Sequence, residues 1–285
     1  MNLRNFLGFS GPSIASMILL MAAPLVMTLY LSLNRFNFKG ELRYVGFENY
    51  FDILQDDAFW SAFEFTLIYI VCVVLSVLVL GFIVALALNK LSQKIRGFFM
   101  AATLLPFVVT PVVGTLIFSW LFQDFGYITY LLNLVGIQVY WFSDVFESRA
   151  LIILYGIWQV TPFAAIVFFA GLQAIPQDTL ESSVLDGAHQ WDQIKHVVIP
   201  ALQPLILFIS MICIMDAYRL FDSVAVMTGG LNATETLMYY NYRVVIVQDA
   251  VAKGSSVTVL TMLGIFVLLI PFLYLTYKEQ KGIRT

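Results

Sequence analysis

Six apolar runs dominate the chain, at residues 9–33, 65–88, 98–122, 150–172, 205–227 and 256–277, and polar residues gather in the segments between them. A helix needs about 20 apolar residues to cross roughly 30 Å of hydrocarbon, and every run has that length. Lipid offers the backbone no hydrogen-bond partners, so such runs satisfy their N–H and C=O groups internally, as helices. The pattern predicts an all-α membrane protein with six transmembrane helices in one domain, 1–285. The first run has Arg4 ahead of it and Met21-Ala22-Ala23 late in it, as a signal peptide would, but it continues past Pro24 to Leu33. We therefore expect an uncleaved first helix.

Composition agrees. Of 285 residues, 60% are hydrophobic and 12% charged, against about 25% charged in soluble domains, and the mean hydropathy is +0.87. The densest basic stretch, Lys90, Lys94 and Arg96, is too short for a nucleic-acid face. Cys72 and Cys213 sit inside apolar runs and read as buried small hydrophobes, and no His/Cys/Asp/Glu group has metal-ligand spacing. The only histidines, His189 and His196, lie in a polar segment, so a membrane-embedded active site is not supported. No Gly-x-x-x-x-Gly-Lys-Ser/Thr sequence occurs, so this chain has no loop to cradle ATP phosphates.

Orientation follows from the short, acid-free loop 89–98 and the basic tail of Lys278, Lys281 and Arg284. With Arg4 and Lys195 these mark the cytoplasmic side and place both termini inside. Pro106, Pro111 and Pro162 each remove a helix hydrogen bond, as ordinary membrane-helix prolines or as kinks that shape a gate.

The segment 176–200 breaks the apolar rhythm. Pro176 suits a first helical position, and Asp178 and Glu181 suit the first turn, where acids favour the helix dipole. Leu180, Val184, Leu185 and Ala188 recur at three- and four-residue spacing, and Asp186-Gly187 is a turn signal. Trp191, Ile194, Val197 and Val198 then restart an apolar pattern. We expect helix, turn and helix lying on the cytoplasmic surface. Helices that lie on lipid are rich in Lys and Arg, whereas this segment has Asp178, Glu181, Asp186 and Asp192 against Lys195. Its apolar stripe suits a protein partner, or rests on its own bundle.

Glu181, Asp186, Gly187, Ala188 and Pro200, with Ser182 and Ser183 in place of two alanines, resemble the signature of permease subunits of binding-protein-dependent ABC importers. A second block, running from Tyr218-Arg219-Leu220-Phe221-Asp222 to Gly229-Gly230 and then Thr234-Glu235-Thr236-Leu237, is similar to the first-type permease of carbohydrate importers related to the maltose and glycerol-phosphate permeases. The resemblance implies a type I importer permease in a bacterial inner membrane. It also implies a cytoplasmic coupling helix, with Glu181, Ser182, Ser183, Leu185, Asp186, Gly187 and Ala188 meeting an ATPase subunit. The implied partners are a second, different permease, two copies of an ATP-binding subunit, an extracytoplasmic solute-binding protein and membrane lipid, with no nucleic acid. The chain itself binds no cofactor; ATP and Mg belong to the ATPase subunits. The rival class is an ion-coupled secondary transporter.

Pathway candidates are polar and aromatic groups within the runs. Asp216 and Arg219 share one helix face, either as an ion pair locking the bundle or as cavity groups for a polyhydroxylated or anionic substrate. Trp158, Gln159 and Phe163 offer rings and an amide, which suit the apolar faces and polar rims of sugars or serve simply as core. The resemblance carries sugar-contacting positions onto Gly156, Gln159, Val160, Phe163, Cys213, Asp216, Ala217 and Leu220. Gln159, Phe163, Asp216, Arg219, Tyr218 and Trp158 are the candidate substrate residues.

Overall fold

A computed structural model describes residues 3–36 and 40–282, with side chains described over 10–36 and 40–278. Arg284 and the side chains of Arg4 and Lys281, used above for orientation, lie outside the described residues. Among those residues, five helices are long and apolar enough to cross a membrane, or six if a sharply bent pair counts as one span. The chain forms two compact units, Met1–Trp60 with Tyr240–Phe266, and Ser61–Tyr239 with Val267–Thr285.

In the first unit, α1 (Leu3–Met17) runs through a π turn, Ile18–Ala22, into α2 (Ala23–Ser32). A short antiparallel hairpin follows, β1 (Asn34–Phe36) and β2 (Leu42–Tyr44), with Arg35 opposite Arg43, and then α3 (Glu48–Leu54). This hairpin is an addition to the all-helical expectation. Asn49 holds the unit together. Its fully buried Nδ2 donates to the carbonyls of Ser32 (3.0 Å) and Asn34 (2.8 Å), and its Oδ1 accepts from Arg35 (2.9 Å). Ser256 Oγ donates to the same Ser32 carbonyl at 2.9 Å. Two of these bonds satisfy the carbonyl of Ser32, the last residue of α2, which has no partner within the helix.

The second unit is built on α4 (Asp57–Lys90), α5 (Gln93–Val108), α6 (Pro111–Phe122), α7 (Tyr127–Leu134) and α8 (Val145–Ala174). These are followed by α9 (Gln177–Leu185), α10 (Gln190–Gln193), a π turn Ile194–Val198 and α11 (Ile199–Tyr218). After a π turn at Val224–Thr228 come α12 (Leu237–Tyr242), a further π turn Arg243–Val247, and α13 (Val251–Gly282), of which Tyr240–Phe266 belong to the first unit and Val267 onward to the second. Its core places Phe65, Leu151, Ile152, Phe168, Leu202 and Ile209 out of contact with the surroundings. Small residues let the helices close. Gly81 of α4 lies against Ala164 and Ala165 of α8, and Gly171 of α8 lies against Leu202 and Leu205 of α11.

Three sequence expectations are corrected. The run 98–122 is two helices: Val109 and Thr110 are extended, with ψ of 132° and 140°, and the axes of Gln93–Val108 and Pro111–Leu134 differ by 95°. Pro111 is the cause, because a proline disfavours the helical region for the residue before it and starts a helix well. The fifth helix does not run from 205 to 227. It begins at Gln190, passes through the π turn and ends at Tyr218, so the second half of the expected surface segment is the start of this span. Arg219 N and Leu220 N bond back three residues, to Asp216 O and Ala217 O, which tightens and closes the last turn. Finally, Pro176 is the N-cap of α9 rather than its first residue, and Glu181 lies beyond the first turn.

Candidate functional site

The α5–α6 break and the end of α11 face one another across a cavity of about 540 Å³ in the second unit. Tyr155 of α8 props the break open by donating its hydroxyl to the carbonyl of Pro111 at 2.8 Å. Gly156 lets Tyr69 of α4 reach the same wall, since a Cβ there would stand 2.1 Å from the Tyr69 hydroxyl. Tyr69 and Tyr155 both line the cavity.

Three of the six candidate substrate residues line it: Gln159, Asp216 and Arg219. Asp216 and Arg219 are joined at 3.1 Å, yet their side chains are 56% and 69% exposed. They form an ion pair on the cavity surface, but within the end of one helix, three residues apart, so the pair does not lock one helix to another. The other three are elsewhere. Phe163 stacks on Phe107 at 5.7 Å, one layer behind the wall. Trp158 packs on Phe118 and Tyr155 at 5.6 and 6.0 Å. Tyr218 is buried and is not among the residues that line the cavity. These three, chosen for their chemistry, the resemblance and their neighbours, lie beside lining residues without lining the cavity themselves. Of the eight positions carried over by resemblance, Gln159, Val160, Cys213, Asp216, Ala217 and Leu220 line the cavity, while Gly156 and Phe163 support it from behind.

Asp222 and Ser223 also line the cavity and were missed among the candidates. Both fall in the apolar run 205–227, which reads as one helix, and the break after Tyr218 brings them to the cavity. The signal available was Asp222 itself, an acid inside a long apolar run.

The other candidate element is α9. Gln177 Nε2 donates to Glu181 Oε1 at 3.0 Å, and Gln193 Nε2 donates to Ser183 Oγ at 3.0 Å, which ties α10 to α9. The helix ends as the turn signal requires. Gly187 adopts φ +84°, and the N–H groups of Asp186, Gly187 and Ala188 return to the carbonyls of Ser182, Val184 and Ser183. His189 N then bonds to Asp192 Oδ2 at 3.2 Å, capping α10. The expected apolar stripe is only partly sheltered: Leu180 is half-buried, but Val184 is exposed and Leu185 is 88% exposed. Trp191, at the start of α10, is likewise 71% exposed.

The profile of a family described as binding-protein-dependent transport system inner membrane component matches residues 77–278. The chain belongs to this family. Among similar permeases, a probable ABC transporter permease, y4oQ of Sinorhizobium fredii, is 33% identical over 240 residues, covering 82% of this chain and 77% of that protein. The trehalose/maltose transport system permease protein MalF of Thermococcus litoralis is 29% identical over 268 residues, covering 92% and 88%. The trehalose transport system permease protein SugA of Mycobacterium tuberculosis is 29% identical over 252 residues, covering 88% and 81%. A chain of a bacterial ABC transporter that imports the acidic polysaccharide alginate has the same fold, with a TM-score of 0.83 at 19% identity, covering 96% of each chain. The protein is thus a permease subunit with the ABC-importer fold, as its sequence resemblance implied, and nothing found supports the ion-coupled alternative.

Proposed function

We propose that this permease forms half of the translocation pathway of an ATP-driven importer for a sugar or sugar derivative, with the whole chain, 1–285, acting as one permease domain. The observation that carries this reading is the convergence of Gln159, Asp216 and Arg219 on one cavity bounded by Tyr69 and Tyr155. An amide, a carboxylate and a guanidinium suit hydroxyl groups, and aromatic rings suit the apolar faces of sugars. Relatives named for trehalose, maltose, diacetylchitobiose and arabinooligosaccharide transport support the same substrate class. A second, different permease completes the pathway, and a solute-binding protein delivers the cargo from outside; a similar alginate importer has been crystallised with its periplasmic protein.

The exposed face of α9 docks on one of two ATP-binding subunits, which hold the ATP and Mg. Their closure pulls on 181–188 and turns the cavity outward; their reopening returns it to the cytoplasm. The chain lies in the bacterial inner membrane with both termini inside. A reporter that works only in the cytoplasm should be active when fused after Thr285, and an inactive fusion of an expressed protein reverses the orientation.

The deciding experiment is purification of the complete complex followed by ATPase assay. Sugar-loaded binding protein should stimulate hydrolysis, whereas uptake that persists without ATP hydrolysis overturns the proposal. Asp216→Ala should leave the complex assembled but lower uptake about tenfold or more, since a hydrogen bond to a charged group contributes about 1.5–3 kcal/mol. Unchanged uptake kinetics would remove Asp216 from the pathway.

A further inference from the structure

We propose that Asp222 and Ser223 form a second substrate-contacting pair, and that Asp222 makes the cavity select uncharged, hydroxyl-rich substrates over anionic ones. This rests on the sugar-importer reading and specifies the charge class of its cargo. Asp222 and Ser223 sit between the end of α11 and the π turn at Val224–Thr228, and both line the cavity that holds Gln159, Asp216 and Arg219.

Asp222 differs in state from the other charged residues there. Asp216 is neutralised by Arg219 at 3.1 Å. Asp222, half-buried, has no hydrogen-bond or ion-pair partner among the described residues. The charged residues lining the cavity are Asp216, Asp222 and Arg219, a formal sum of one negative charge. Ser223 is wholly buried, and its Oγ has no partner. An unsatisfied buried hydroxyl is costly, and cavity groups of this kind are retained where a ligand completes them.

An unpaired carboxylate in a partly desolvated site accepts hydrogen bonds strongly from hydroxyls and repels a carboxylate, sulfonate or phosphate. Ser223 can both donate to and accept from the same substrate. The similar alginate importer carries an acidic polysaccharide on the same fold. Charge preference is therefore a property of cavity side chains rather than of the helix arrangement.

The test uses the complete importer with a reporter cysteine, Val160→Cys, facing the cavity from α8, in a Cys72→Ala, Cys213→Ala background. Its modification rates are measured with two methanethiosulfonates of similar size, one cationic (trimethylammonium-ethyl) and one anionic (sulfonato-ethyl), each normalised to a free thiol. The wild-type residue at 222 should favour the cationic reagent, and Asp222→Asn, which keeps shape and acceptor, should reduce that preference about tenfold, as expected for one charge removed at partly desolvated range. A preference unaltered by Asp222→Asn overturns the proposal. So does a parent that favours the anionic reagent, a result that does not depend on the variant folding. Ser223→Ala should raise KM for the sugar that stimulates ATP hydrolysis, and an unchanged KM removes Ser223 from the pair. Failure of the sugar reading is seen separately, as absence of any sugar-stimulated ATP hydrolysis while the reagent preference stands.

Discussion

Gly187→Val is expected to abolish uptake while leaving the protein in the membrane. Gly187 holds φ +84°, and a Cβ placed there meets nothing within 4 Å, so the defect would come from backbone conformation and not from a clash. A residue with a side chain loses about 1–2 kcal/mol in the left-handed region, and a β-branched one more. The turn would relax, and with it the three bonds that return Asp186, Gly187 and Ala188 to α9. Leu185, standing 88% exposed just before the turn, would be re-aimed, and a mis-seated leucine forfeits about 1.5–3 kcal/mol of burial at a partner surface. Those losses together amount to about a hundredfold or more in association. Gly187→Asn is the control, since asparagine tolerates the left-handed region. Copurification of the ATPase subunit and sugar uptake are the measurements. Wild-type values for Gly187→Val would sink the coupling role of α9.

Gly81→Val should act by the opposite route, through packing. A Cβ on Gly81 would lie 2.7 Å from the Cβ of Ala164, 3.1 Å from the backbone N of Ala165 and 3.2 Å from the backbone C of Ala164. Backbone atoms cannot rotate aside, so α4 and α8 must part. Membrane helices gain little from the hydrophobic effect and depend on such close approach of small residues. Overpacking costs about 1–3 kcal/mol. Separation would also pull Phe82 from the edge-on contact it makes with Phe168 at 5.8 Å, and would move Tyr69 away from Tyr155 across the cavity. The expected result is a lower melting temperature of the purified complex and loss of uptake. Gly97→Ala, where no atom lies within 4 Å of the new Cβ, should change neither. Equal melting temperatures for Gly81→Val and the unaltered protein would refute the close helix contact.

Most of the helices were readable because lipid imposes a single rule: an apolar run of sufficient length must close its own hydrogen bonds. The rule reports the presence of a span and is silent on breaks inside it. Pro111 carried a break signal, and the chain bends there by 95°. At Tyr218–Asp222 there is neither proline nor glycine, and apolar residues continue to Met227, so the charges of Arg219 and Asp222 were the only mark of the end of α11. The same difference separates the two candidate sites. The α9 turn is local chemistry, with Gly187 adopting the conformation that Asp186-Gly187 announced. The cavity is assembled from residues up to 169 positions apart, Tyr69 to Met238, and periodicity cannot say which face of a helix meets which neighbour.

By itself, then, the sequence determined where the long apolar helices lie, the short polar helix with its glycine turn and the permease family, because each is written in contiguous residues. Only the tertiary structure decided that Gln159, Asp216 and Arg219 share a cavity with Asp222 and Ser223 while Phe163, Trp158 and Tyr218 do not. That division depends on where helices break and how closely glycines let them approach, which is settled by contacts between segments far apart in the chain.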